Sequence, residues 1–200
     1  MKSFKRVIDV TIGAVALAVL SPIIAATAVL IRVVDGSPVT FRQPRSGRGG
    51  RPFELVKFRT MCTPTADQRG PEHDGARMTR TGRWLRATSL DELPTLVHVL
   101  RGQMSLVGPR PLPVEYLRRY DDTQARRLEV RPGVTGWAQV HGRNRVPWDE
   151  KFALDVWYVD HASLRLDARI LAMTVQQVLR RDGIDHEDGT TMTEFLGNGE

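Results

Sequence analysis

Between Val10 and Ile31 the chain runs for 22 residues without a charged side chain. As an α-helix that run would be about 33 Å long at roughly 1.5 Å per residue, enough to cross the apolar layer of a bilayer. No other feature constrains the fold as strongly, because a segment this apolar has to be covered by lipid or by protein. Three arrangements would cover it: a secretory signal peptide, a single membrane span, or a segment that enters the membrane and returns. Lys2, Lys5 and Arg6 ahead of the run, and Ala26-Thr27-Ala28 resembling a cleavage site, suit the signal peptide. Against it, the run continues past that site through Val29, Leu30 and Ile31, and Asp9 sits between the basic residues and the apolar core.

Ser21-Pro22 interrupts the run near its middle. Proline removes a backbone donor and clashes with the carbonyl four residues back, here that of Ala18, so the helix is expected to kink or break. The Ser21 hydroxyl is placed to partner the freed carbonyl. Basic residues flank both sides: Lys2, Lys5 and Arg6 before, and Arg32, Arg42, Arg45, Arg48 and Arg51 after. The positive-inside tendency therefore pulls both ends toward the cytoplasm. A straight span cannot satisfy both ends, whereas a broken, re-entrant helix can. On these residues alone the three arrangements stay open.

With 200 residues the chain has room for one domain with a real core. Its formal charge of +6, mostly from arginine, suits nucleic acid, anionic lipid headgroups or phosphorylated substrates. The single cysteine, Cys62, excludes an internal disulfide. The five histidines show no metal-ligand spacing, and no Walker loop, dinucleotide fingerprint or G-x-S-x-G elbow is present.

After the apolar run the sequence reads as short elements. Pro38 to Phe41 and Phe53 to Phe58 are predicted strands around a basic, glycine-rich loop, with Lys57 and Arg59 sharing one strand face as an anion site. Arg77, Arg80, Arg83 and Arg86 recur every third residue and line one side of a short helix or turn. Met104 to Val107 reads as a buried strand, Tyr116 to Val130 as a solvated helix, and Thr135 to Val140 as a strand. Trp148 to Tyr158 forms a helix carrying Asp155. A last helix, capped by Ser163, runs through Arg181 with an apolar stripe, either packed on the core or lying in a membrane interface. Residues beyond Gly183 are polar and expected to be loosely held.

The chemistry-bearing stretch is Ser89-Leu90-Asp91-Glu92-Leu93-Pro94, followed by Gly108-Pro109-Arg110-Pro111. Pro94 fits the first turn of a helix, which makes Asp91 its N-cap and Glu92 a first-turn acid. The same two carboxylates at a helix mouth could instead hold a metal and handle phosphate. Arg110, between Pro109 and Pro111, has a restricted backbone, and a guanidinium held in a defined direction suits bidentate phosphate contact.

Read together, these motifs resemble the bacterial sugar transferases, the monotopic polyprenyl-phosphate phosphoglycosyl transferases. The resemblance covers Lys5-Arg6-x-x-Asp9, Ser21-Pro22, Phe41-Arg42-Gln43, Lys57-Phe58-Arg59-Thr60-Met61 and the Asp91-Glu92 stretch. It continues through Met104 to Pro111, Arg131-Pro132-Gly133-Val134-Thr135-Gly136 and Ala138-Gln139-Val140-x-Gly142-Arg143. The short chain is most similar to the catalytic-core-only members that transfer phospho-N,N′-diacetylbacillosamine. Gln103, His98, His141 and His161 depart from the usual pattern, which bears on sugar selectivity or packing near the membrane.

The resemblance implies an α+β, membrane-associated protein. Residues 1–35 would be a re-entrant membrane helix broken at Ser21-Pro22. Residues 36–183 would be a small cytosolic catalytic domain of helices and short strands with interfacial amphipathic helices, and 184–200 a polar tail. It implies transfer of a sugar 1-phosphate from a UDP-sugar, N-acetylated in the closest members, to polyprenyl phosphate at the cytoplasmic face of the bacterial inner membrane. Asp91 and Glu92 become catalytic and metal-binding residues for Mg2+. Lys57, Arg86, Arg110 and Arg143 become phosphate or nucleotide contacts, with Pro109 and Pro111 framing the site and Asp155 as a further acidic member. Membrane lipids are implied partners and nucleic acid is not; a homodimer stays open. The competing class is a non-catalytic, membrane-anchored basic binding or scaffold protein.

Overall fold

The computed structural model describes residues 2–63, 73–141, 146–180 and 194–197. Helix α1 (Lys2–Val34) is followed by a hairpin of β1 (Thr40–Ser46) and β2 (Pro52–Phe58). Two short helices, α2 (Asp74–Arg77) and α3 (Arg80–Ala87), lead into a 3₁₀ turn at Leu90–Thr95 and helix α4 (Leu96–Leu100). Strand β3 (Ser105–Val107) then pairs in parallel with β4 (Gly133–Thr135), Ser105 opposite Gly133 and Val107 opposite Thr135. Between them lie a 3₁₀ turn at Val114–Arg118, α5 (Asp122–Ala125) and a second 3₁₀ turn at Arg126–Glu129. Helices α6 (Trp137–Val140), α7 (Trp148–His161) and α8 (Leu164–Arg180) follow. Helices and two small sheets make this an α+β fold.

Helix α1 is long and apolar enough to cross a membrane. Its helical backbone continues through Pro22 from Lys2 to Val34, so the expected break at Ser21-Pro22 does not end the helix. The Ser21 hydroxyl donates to the Ala18 carbonyl at 2.8 Å, satisfying the group that Pro22 deprives of its partner. One stripe of α1 faces the domain along its length. Asp9, Gly13, Thr27 and Ile31 are buried, while Val7, Val15, Val19, Val29 and Val33 point outward. Ala16, Leu17 and Leu20 join the main core of Leu96, Val99, Leu106, Val107 and Ile170; Ile24, Ala28 and Ile31 join a second core with Phe58 and Leu85. A Cβ at Gly13 would lie 3.3 Å from a Val99 methyl, so glycine lets α1 approach α4 closely. Both ends are held by the same domain. Lys5 bonds Asp167, and at the far end Arg59 bonds the carbonyls of Asp35, Gly36 and Ser37.

Several local expectations are corrected. Strand β1 extends into the basic loop, because Arg42 to Ser46 pair in register with Val56 to Pro52. Arg59 does not share an anion site with Lys57; it lies beyond the end of β2 and ties down the α1–β1 connection. The segment Tyr116 to Val130 is not one solvated helix. It divides into short turns around the Asp121–Gln124 capping box, and Arg127 is buried. Thr135 to Val140 is not a strand beyond Thr135: the chain turns at Gly136 into α6. Of the two arrangements open for α8, core packing holds at Ile170 and Leu171, while Val175 on the same stripe is exposed. Phe195 also corrects the expectation of a loose tail, being buried among Leu112, Tyr116, Phe152 and Trp148.

Candidate active site

Asp91 does not cap a helix. Helix α3 ends at Ala87, and Ser89, at φ 57°, reverses the chain through the left-handed region. Among the described residues it is the one non-glycine with positive φ, a conformation that costs on the order of 1 kcal/mol. The reversal starts a 3₁₀ turn that contains Asp91, Glu92 and Pro94, so Pro94 precedes α4 instead of opening it. Asp91 is left 6% exposed, against β2 and α3.

Its surroundings are cationic. Burial pushes the Asp91 carboxyl up to about 6, with the adjacent Glu92 charge adding to the rise; Lys57, Arg86 and Arg110 oppose it. Burial in turn lowers the Lys57 ammonium to about 8, offset by Asp91. Lys57 projects from β2 over the Phe41 ring, 5.8 Å from its centroid. Arg86, on the inner side of α3, donates its Nε to Thr60 Oγ1 at 3.1 Å. A Cβ on Gly82, one turn earlier, would lie 1.9 Å from the Thr60 carbonyl oxygen, so glycine is what lets α3 sit against this segment.

Arg110 reaches the carboxylates from the opposite side. Its Nη2 donates to Glu92 Oε1 at 2.6 Å, and that charge raises the guanidinium pKa. The Pro-Arg-Pro backbone is fixed carbonyl by carbonyl. Pro109 O accepts from Gly133 N at 2.9 Å, and Arg110 O from Arg127 Nη2 at 2.7 Å. Pro111 O accepts from Arg45 Nη1 at 3.2 Å, and Leu112 O from both Ser46 N and its hydroxyl. Four consecutive acceptors are thus engaged by β4, the Arg126–Glu129 turn and β1. Pro109 and Pro111 serve as rigid backbone here.

Asp155 stands behind this segment and not beside Asp91. It forms an ion pair with Arg127 at 2.7 Å, both side chains 2% exposed, and Arg127 in turn holds Arg110. The structure therefore brings together Lys57, Arg86, Asp91, Glu92 and Arg110. It gives Asp155 a supporting place, and Arg143 lies outside the described residues. Sequence reasoning missed Arg45, Arg127 and Lys151. Lys151 is lowered to about 8 by burial and then by Arg110, and Arg45 to about 10 by the same two causes in that order. The available signal was spacing: Lys151 precedes Asp155 by four residues on α7, and Arg45 alternates with Gln43 on β1.

A half-buried carboxylate pair facing convergent cations is suited to a phosphorylated substrate. Comparison with known proteins points the same way. A protein of Bacillus subtilis (strain 168) named "Uncharacterized sugar transferase EpsL" is 50% identical over 196 residues, covering 98% of this chain and 97% of its own. The UDP-glucose:undecaprenyl-phosphate glucose-1-phosphate transferase of Caulobacter vibrioides is 41% identical over 188 residues, 89% of this chain and 70% of that protein. The UDP-N-acetylgalactosamine-undecaprenyl-phosphate N-acetylgalactosaminephosphotransferase of Aeromonas hydrophila is 39% identical over 184 residues, 88% of this chain but only 43% of that protein. The sugar named differs between these relatives. The family model for bacterial sugar transferases matches residues 1–181, and the chain belongs to that family.

Proposed function

We propose that the protein transfers a sugar 1-phosphate from a UDP-sugar to polyprenyl phosphate, with Asp91 as the nucleophile. The Caulobacter vibrioides and Aeromonas hydrophila relatives act on a UDP-sugar and undecaprenyl phosphate by their names, which supports the two substrates. The observation that carries the reading is the environment of Asp91: a desolvated carboxylate, ionised at neutral pH, at the focus of Lys57, Arg86 and Arg110. Desolvation removes the water shell that would blunt its attack, and the cations offset charge on a bound diphosphate.

In the first step an Asp91 carboxylate oxygen attacks the β-phosphorus of the UDP-sugar. The bond from that phosphorus to the bridging oxygen breaks, UMP leaves with the electron pair, and a sugar phosphate remains on Asp91. In the second step a phosphate oxygen of the polyprenyl phosphate attacks the same phosphorus. The bond to Asp91 breaks, the carboxylate is restored and polyprenyl diphosphate sugar departs. Arg110, steered by Glu92 and by its pinned backbone, holds a phosphate oxygen in a fixed direction. Lys57 and Arg86 act from β2 and α3.

Mg2+ fits this donor set as a shared ion. Among the described residues no group of three or more His, Cys, Asp or Glu side chains gathers for a metal, and Asp91 and Glu92 are the residues that would hold it. Magnesium is usually held by one or two carboxylates with water and substrate phosphate oxygens completing its shell. When bound it would supply charge neutralisation to the diphosphate.

We place the outward apolar face of α1 in one leaflet of the bacterial inner membrane, with both helix ends and the site on the cytoplasmic side, so that lipid phosphate and soluble nucleotide meet at one surface. This arrangement is monotopic, with the continuous helix α1 in place of one broken at Ser21-Pro22. A scaffold would have no use for a carboxylate kept ionised out of water. The test is detergent-purified protein with magnesium, undecaprenyl phosphate and a panel of UDP-sugars, including N-acetylated ones. UMP should appear with lipid-dependent steady turnover and vanish in Asp91→Asn. Mass spectrometry of quenched enzyme should find a sugar phosphate on the peptide bearing Asp91; no adduct, with turnover intact in Asp91→Asn, would refute the mechanism.

A further inference from the structure

The motif Lys5-Arg6-x-x-Asp9 has no part in the chemistry above, yet its side chains are heavily engaged. Lys5 Nζ donates to Asp167 Oδ2 at 2.6 Å and to Val107 O at 3.3 Å, and lies 3.9 Å from Asp9 Oδ1. Asp9, buried on the inner stripe of α1, accepts from Ser105 Oγ at 2.7 Å and from the Leu106 N–H at 3.2 Å. The Tyr158 hydroxyl completes the cluster, 2.7 Å from Asp167 Oδ1 and 3.1 Å from Val107 O. Arg6 turns the other way and donates to Val99 O at 2.6 Å and Leu100 O at 3.0 Å.

Apart from Asp167 on α8 and Tyr158 on α7, the partners of this motif fall on two elements. Val99 and Leu100 form the C-terminal end of α4, the helix that continues directly from the turn bearing Asp91 and Glu92. Ser105, Leu106 and Val107 are the whole of β3, which ends three residues before Arg110. The motif therefore bridges the two arms that meet in the Glu92–Arg110 ion pair. An apolar stripe alone would hold α1 to the domain while tolerating small slides. Bonds to named carbonyls and an amide do not: a one-residue slip of about 1.5 Å breaks them together.

We propose that Lys5, Arg6 and Asp9 are positioning residues that set Arg110 against Glu92, so that the seating of α1 on a lipid surface is transmitted to the site. The proposal rests on the reading of that site as catalytic. It concerns a relay within the protein, and gives the motif a role beyond holding the helix at the membrane.

The test uses the full chain in lipid nanodiscs, as wild type, Lys5→Met, Lys5→Arg and Asp9→Asn. Three quantities are read: membrane-bound fraction, amide hydrogen exchange, and steady-state UMP release. We expect Lys5→Met and Asp9→Asn to stay membrane-bound, with exchange at least tenfold faster across residues 96–107 and unchanged in the 40–58 hairpin. Turnover should fall at least tenfold in kcat with KM for the UDP-sugar within threefold, and Lys5→Arg should recover most of it. Faster exchange confined to residues 2–34, or a kcat loss equal to the loss of membrane-bound protein, would overturn the proposal. If wild type releases no UMP from any UDP-sugar, the proposed function fails, and the exchange pattern alone still decides whether the motif couples α1 to α4 and β3.

Discussion

A carboxylate 6% exposed and raised to about 6 is kept ionised at neutral pH against its surroundings, and its reactivity and its cost to the fold share that cause. The attack proposed for Asp91 requires the ionised form, so kcat/KM should fall as pH drops through about 6. Lys57→Met, which removes an opposing cation, should move that limb upward; a limb near pH 4 in both proteins would refute the assignment. For stability the sign is opposite to that of an ordinary salt-bridged acid. The folded pKa lies above the usual 3.8, so the charged side chain weakens the fold at pH 7.5, and the penalty fades as pH falls from about 6 toward 4. Asp91→Asn should therefore be more stable at pH 7.5, by up to about 3 kcal/mol, with the gain shrinking toward pH 4 in thermal melts. Removing one partner of the Asp155–Arg127 pair should do the reverse. Asp155→Asn leaves a buried guanidinium unpaired, and a loss of roughly 3–5 kcal/mol is expected by denaturant titration. At this scale the sequence displayed Asp91, Glu92 and Arg110 through their motifs. Arg127 stayed hidden because its neighbours in the chain read as a solvated helix, and only the fold brings Asp155 to it.

Among the elements, the short ones were hardest to read. Strand β3 was legible within Met104 to Val107, but β4 has three residues and α4 five, too few for a period to fix their bounds. Their places come from close approaches that only glycine permits. A Cβ on Gly108 would lie 2.3 Å from Arg131 O, and one on Gly133 2.1 Å from Gly108 N. The Asp91 turn was misread for a related reason. Pro94 is compatible with an α-helical first turn, but Ser89 in the left-handed region starts the 3₁₀ segment earlier. Gly82→Ala tests how far α3 depends on its tight seat. Its new methyl would fall 1.9 Å from the Thr60 carbonyl, on backbone that cannot yield as a side chain would. A loss on the order of 3 kcal/mol is expected, with UMP release falling further than the folded fraction because Arg86 and Thr60 move. Unchanged melting would show that α3 has room to shift.

For the whole molecule, the charge on both flanks of the apolar run predicts a helix whose two ends stay on one side of the membrane. Labelling Ser3→Cys and Asp35→Cys in a Cys62→Ser background should report both positions as cytoplasmic; opposite sides would require a true span. What the sequence could not show is how much of α1 is also core. Its inner stripe closes two apolar clusters, and Asp9 satisfies Ser105 and the Leu106 amide. The helix is therefore no detachable tether. Expressing residues 36–200 alone should give aggregated material, with Val99, Phe58 and Leu85 stripped of their cover, where a domain on a removable leash would yield a soluble fragment.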